Sequence, residues 1–221
     1  MEPVVMLWSG GKDSALALYE LRRAGEYEVA ALLTTVTEGY DRVSMHGVRR
    51  ALLERQAASV GLPLAQVSIP RDCSNAEYVA RMASACAALK GIGLHTAASG
   101  DLFLEDVRRY REGQLAEASM GGVFPLWGRD PAPLARTFVA AGFAAVTVCV
   151  ESRSLGEEWV GRAFDGPFLA DLPPGVDPCG ENGEFHTFVY DGPIFKERIA
   201  WTRGEVVLRD DCFYYCDLLP E

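Results

Sequence analysis

Ser9-Gly10-Gly11-Lys12-Asp13-Ser14 puts two glycines, a cation, a carboxylate and two hydroxyls into six consecutive positions. The stretch follows an apolar run at 4–8 and enters a helix-like pattern at 15–23 that Gly25 closes. Strand, glycine turn, helix is an order that points backbone N–H groups and a positive helix end at whatever occupies the turn. An anion fits there, and phosphate is the commonest one. Glycines let the main chain approach it without a Cβ in the way. The spacing is not G-x-x-x-x-G-K-[ST], nor is it G-x-G-x-x-G. The plainer reading is a helix N-cap behind a flexible turn.

A second cluster lies at 179–187, Cys-Gly-Glu-Asn-Gly-Glu-Phe-His-Thr. If 184–190 is extended, Glu184 and His186 share one face. A carboxylate beside an imidazole is a proton-transfer pair, and Glu181 joins it from across the Gly183 turn. The alternative is a glycine-rich turn leading into an edge strand. Further candidates are His46, in a polar loop that ends at Ser44-Met45-His46-Gly47, and Gly100-Asp101, at the end of an apolar run. Glu105, Arg108, Arg109 and Glu112 recur at helical spacing, which suits substrate contact or a salt-bridged face.

The elements that must position these residues follow from periodicity. Strands are expected at 4–8, 28–35, 64–69, 94–99 and 143–150. Helices are expected at 15–23, 48–60, from Ser74 or Asn75 onward, at 105–117, and from Pro131 or Pro133 to Gly142. Strands that are apolar on both faces and alternate with helices predict a doubly wound five-stranded parallel α/β sheet of Rossmann-like type. Such sheets bind ligands at the strand carboxyl ends, where the first turn, the His46 loop and Gly100-Asp101 all fall. Beyond 152 the pattern turns to Gly, Pro and Asp, then to alternating segments at 186–190, 195–202 and 205–213. Arg203-Gly204 reads as a hairpin turn between the last two. The division is a nucleotide-binding domain over 1–151 and a smaller α+β subdomain over 152–221.

Composition narrows the function classes. At 221 residues and 49% hydrophobic, the chain can build one sizeable core. It contains no apolar run of the ~18 residues that mark a membrane span. It enters the first strand directly, without a signal pattern, so a cytoplasmic protein is expected. A formal net charge of −10 disfavours a nucleic-acid partner. The six cysteines form no C-x-x-C pair, which speaks against zinc.

The ordered set S-G-G-K-D-S, G-D-L-F-L-E-D-V-R-R-Y-R-E, P-L-W-G and G-E-N-G-E-F-H-T-F-V-Y-D-G-P-I-F, over residues 4 to about 201, resembles the diphthine–ammonia ligase family of PP-loop ATP pyrophosphatases. The resemblance implies an ATP-dependent, AMP-forming ligase that adenylates a carboxylate and transfers ammonia. In the family the carboxylate is that of diphthine on elongation factor 2; bacterial members act in organisms that do not make diphthamide. It implies that Ser9, Gly10, Gly11, Lys12, Asp13 and Ser14 bind ATP, with Mg²⁺ organised by Asp13. Asp13, Glu184 and His186 become the catalytic candidates, with Glu184 or His186 orienting ammonia or taking its proton. His46, Gly100, Asp101, Glu105 and Glu181 become the substrate side. Two alternatives stand beside this reading: a PP-loop enzyme acting on another substrate such as tRNA, and a non-catalytic adenine-nucleotide-binding module. The oligomeric state is open, a homo-oligomer included.

Overall fold

The computed structural model describes residues 1–43 and 46–221. Ser44 and Met45, part of the expected His46 loop, lie outside the described residues. In chain order the elements are β1 (Glu2–Leu7), α1 (Lys12–Ala24), β2 (Tyr27–Thr37), β3 (Arg42–Val43), α2 (Arg50–Val60), β4 (Leu64–Ile69), α3 (Asn75–Gly91) and β5 (Thr96–Ala98). Then come α4 (Glu105–Glu117), β6 (Gly121–Val123), α5 (Pro131–Ala140), β7 (Ala144–Glu151), a short 3₁₀ turn, α6 (Gly166–Asp171), β8 (Phe185–Asp191), β9 (Trp201–Arg209) and β10 (Phe213–Pro220).

Five parallel strands run in the order β4-β2-β1-β5-β6, and β3 pairs antiparallel with the end of β2. The order reverses between β1 and β5, which are neighbours in space but not in sequence. That switch point opens a crevice at the strand carboxyl ends. Alternation along β1 sends Val4 and Met6 into one core and Val5 into another. The first core takes in α1 and α2 and continues into the second sheet. The second lies under α3 and α4, which bury little: Cys86 and Leu89 from one, Leu115 from the other.

The helix ends follow the expected chemistry. Ser74 caps α3 by accepting from Glu77 N–H at 3.2 Å, and Asp130 caps α5, which Pro131 opens. Gly25 and Gly61 close α1 and α2 in the left-handed conformation.

Two expectations about strands need correction. The apolar run at 143–150 is a strand, but it belongs to the second, antiparallel sheet, in the order β8-β7-β10-β9. A central antiparallel strand covered on both faces has the same all-apolar pattern as a buried parallel one. The fifth parallel strand is instead β6, three residues of which two are glycine, with no strand signal of its own. The turn expected at Arg203-Gly204 lies inside β9. The chain reverses at Asp210-Asp211, both with φ near +50°, a left-handed pair that Asp tolerates and hairpins favour. Among the described residues no helix is long and apolar enough to cross a membrane.

Candidate active site

The turn between β1 and α1 is shaped by residues distant in sequence. Gly10 sits at φ +78°, and a Cβ there would lie 2.6 Å from Gln56 Oε1 and from Leu53 Cδ1. Gln56 is fully buried on α2. Its Oε1 accepts from the Trp8 indole at 3.0 Å, and its Nε2 donates to the Gly10 and Val189 carbonyls. Gly11 is the N-cap of α1 and has no side chain to cap with. Its N–H donates to Ser9 Oγ at 3.2 Å, and the Lys12 N–H donates to Thr187 Oγ1 at 3.0 Å. Val189 N–H donates back to the Gly10 carbonyl at 2.9 Å. Strand β8 is therefore laced to the turn, and two N–H groups expected to face an anion are already taken.

On the other side of the switch point, Gly100 follows β5. A Cβ on Gly100 would stand 2.8 Å from the Asp13 carbonyl carbon and oxygen. Only a residue without a side chain lets the end of β5 touch the first turn of α1. Asp101 next to it holds Arg111 with both oxygens, at 2.6 and 3.0 Å, a bidentate pair.

Lys12 is buried, with Nζ 2.8 Å from Asp13 Oδ2 and 5.3 Å from the Phe185 ring centroid. Burial works against its charge, but Asp13, Cys179 and Glu181 together outweigh it and leave its pKa raised. Burial also raises Asp13, against the pull of Lys12.

The loop before β8 divides three carboxylates between two tasks. Asp177 accepts from Cys179 N–H and Glu181 N–H, each at 3.0 Å. Glu184 accepts from Asp177 N–H at 3.0 Å, Asn182 N–H at 3.1 Å and the Asn182 side chain at 3.0 Å. Both carboxylates hold the loop's own backbone. Glu181, fixed between them, reaches out of the loop and accepts from Leu102 N–H at 2.8 Å. Burial lifts Glu181 to about 7, with Asp13 and Asp101 adding to the rise against the Leu102 hydrogen bond and Lys12.

His186 follows on β8, its ring centroid 4.5 Å from that of His46. Burial, then Lys12, lowers His186 to about 4. His46 is held well below its ordinary value by burial, by His186 and by Lys12, against a hydrogen bond to the Thr187 backbone. Both imidazoles are neutral at neutral pH.

Ser9, Gly11, Lys12, Asp13, Ser14, His46, Gly100, Asp101, Glu181 and His186 line one cavity of about 530 Å³. Gly10 stands behind it. Two expected residues do not reach it: Glu105 is exposed on the first turn of α4, and Glu184 turns into its own loop. The Glu184–His186 pair is thus not assembled, because Glu184 precedes β8 and is bound by three donors. Arg111, Thr187, Gln56 and Asp177 escape a motif-based reading. A Gln among the apolar residues of α2 and a Thr one step past His186 were the available signals.

The cavity thus joins a phosphate-type turn, a carboxylate of raised affinity for protons and two neutral imidazoles, drawn from both ends of the chain. Residues 2–118 match the family model described as diphthamide synthase N-terminal domain, and residues 130–216 match the one described as diphthamide synthase C-terminal domain. A Danio rerio protein named diphthine–ammonia ligase is 28% identical over 94% of this chain and 89% of that protein. Proteins of the same name from Homo sapiens and Schizosaccharomyces pombe are 32% and 34% identical over 48% and 37% of this chain, which is 42% and 14% of theirs. On these matches, which take in both sheets and both halves of the cavity, the chain belongs to the diphthamide synthase family.

Proposed function

We propose that this protein is an ATP-dependent carbon–nitrogen ligase that adenylates a carboxylate and converts it to an amide with ammonia. The acceptor is the diphthine carboxylate that the relatives' name specifies, carried on elongation factor 2. The observation that supports this most is the attachment of Thr187 to the Lys12 N–H, which brings the Glu181–His186 segment into the cavity of the phosphate turn.

A carboxylate is a poor electrophile because oxide cannot leave. Attack of its oxygen on the α-phosphorus of ATP breaks the α–β bridge, releases pyrophosphate and leaves an acyl adenylate. Ammonia then forms the C–N bond as AMP departs with the C–O electron pair, and one N–H proton is released. Ammonium must also lose a proton before it can attack. His186, held at about 4, is too weak a base for that. Glu181, at about 7, is matched to it. On this reading Glu181 takes the proton-accepting role that the resemblance suggests for Glu184 or His186.

Lys12 Nζ and the α1 N-terminal amides other than those of Gly11 and Lys12, which are engaged within the protein, hold the departing phosphates. Mg²⁺ fits the Asp13 carboxylate, whose side chain is 30% exposed to the cavity, since this ion needs one or two carboxylates besides phosphate and water. It would neutralise phosphate charge. Among the described residues no group of three His, Cys, Asp or Glu forms a dedicated cage.

The test is product analysis with diphthine-bearing elongation factor, ATP and ammonium. AMP, pyrophosphate and a substrate about 1 Da lighter, as exchange of OH for NH₂ requires, are expected. ADP and phosphate as the dominant products would overturn the reading.

A further inference from the structure

His46 Nδ1 is buried and has no hydrogen-bond partner among the described residues. A buried polar atom without a partner is costly, and such atoms are rare in folded proteins. The rest of the ring is well held. It makes a hydrogen bond to the Thr187 backbone and lies against His186. Its Cε1 and the Thr187 carbonyl oxygen crowd the same side of Gly11, at 3.0 and 3.1 Å from where a Cβ would be. Because Nδ1 is without a partner, we assign the hydrogen bond to Thr187 to the Nε2–H. In a neutral ring this leaves Nδ1 as a bare lone pair.

A bare lone pair selects its ligand. A phosphate oxygen would set acceptor against acceptor. A small molecule with N–H groups satisfies it. We propose that His46 Nδ1, in the corner formed by the phosphate turn, Thr187 and the His186 ring, is the acceptor that seats ammonia for attack. This rests on the ligase reading above and adds a binding site to it. The nearby Lys12 ammonium disfavours a cation in that corner, so ammonia is held as the neutral molecule. Its proton has gone to Glu181 on the same cavity wall. One ammonia N–H then points to Nδ1, and the nitrogen lone pair stays free to face the acyl carbon. His46 is on this account a substrate-binding residue, and His186 positions its ring.

Two substitutions separate the ring's two nitrogens. His46→Gln keeps a donor at the reach of Nε2 and has no acceptor at Nδ1. His46→Asn keeps an acceptor near Nδ1 and loses the Thr187 bond. In amide formation, His46→Gln is expected to raise the KM for ammonium about tenfold or more, the scale of one lost hydrogen bond. The KM for ATP in acceptor-dependent ATP–pyrophosphate exchange is expected to move much less. His46→Asn should restore most of the ammonium KM. An unchanged ammonium KM in His46→Gln, or an equal rise in the ATP KM, would overturn the site; the second result would make His46 a nucleotide contact. A second measurement needs no turnover. Titration of ¹⁵N-histidine-labelled protein with ammonium chloride should shift one Nδ1 resonance saturably, and sodium chloride should not. Absence of that shift would also overturn the site. If the wild type shows no acceptor-dependent exchange, the ligase reading fails, and the titration still decides the ammonia site by itself.

Discussion

The phosphate turn and the loop at 177–187 meet in one cavity, yet they are built in opposite ways. The turn's candidates are consecutive: strand, glycines and helix follow one another, and of the six expected residues all but Gly10 line the space, braced by partners distant in sequence. The loop closes on itself through Asp177 and Glu184. These two acidic side chains bind backbone amides so that a third, Glu181, can project. In the turn, residue type predicts role. In the loop, role is decided by where each carboxylate's lone pairs are already engaged. Glu181 and Glu184 stand three residues apart and are chemically the same. One faces a cavity and the other holds the loop that carries it.

Substitutions can break this comparison, starting at the seam. Gly11→Val should have the largest effect. Its side chain would press on His46 Cε1 and on the Thr187 carbonyl of β8, not on open phosphate space. Loss of activity together with about 2–3 kcal/mol of stability is expected, the range for overpacking a tight contact. Calorimetry and ATP titration would check it; a variant of wild-type stability that merely fails to bind ATP would place the side chain in the phosphate site instead.

Glu184→Gln comes next. It removes an acceptor oxygen from a buried set of three donors, so about 1–3 kcal/mol is expected, read as a lower urea midpoint. Glu181→Gln should not show that loss. Burial raises the Glu181 pKa from 4.5 to about 7, so the native state binds its proton more tightly than the unfolded state does. Stability from this group is therefore present at low pH and declines as pH rises from about 4.5 through about 7. Glu181→Gln should flatten that decline and be no less stable than wild type at pH 8.

Asp217→Asn should be smallest. Asp217 joins β10 to Arg42 and Arg49 at 2.8 and 2.6 Å. These arginines, through their hydrogen bonds, hold it well below the usual carboxylate range against the opposing effect of burial. Its contribution is full above the ordinary carboxylate pKa and declines as pH falls from there through the lowered folded-state value. The pair is partly exposed, so about 1 kcal/mol is expected. Thermal melts should show the full difference at pH 7, much of it still at pH 3, and its loss only in stronger acid.

Helix boundaries and caps are readable in this sequence because Ser74, Pro131, Gly25 and Gly61 act within a turn of their own positions. The count of five parallel strands came out right with one member misplaced. β7 is covered on both faces, and burial says nothing about which sheet covers it. β6 carried no signal because Gly121 and Gly122 pack closely: a Cβ on them would stand 3.2 Å from Thr96 Oγ1 and 3.1 Å from the Phe124 ring. Within the site, Lys12, Asp13, Asp101 and His186 are legible from motif and strand position. Gln56 and Thr187 act through contacts made only after the chain folds back, so no local pattern marks them. The exchange of roles between Glu184 and Glu181 has the same cause. Alternation places Glu184 beside His186 only if the strand has already begun, and β8 begins at Phe185.

The most direct test of the account is the pH dependence of amide formation in Glu181→Gln and wild type, with ATP, ammonium and acceptor saturating. In the wild type the rate should rise as pH passes through about 7, as the Glu181 carboxylate becomes free to take the ammonium proton. In Glu181→Gln that rise should vanish and the rate should fall by about 10²–10⁴, the usual contribution of a positioned base, with ATP still bound. A variant that keeps the wild-type rate and the same rise through pH 7 would contradict the assignment of Glu181 as the proton acceptor.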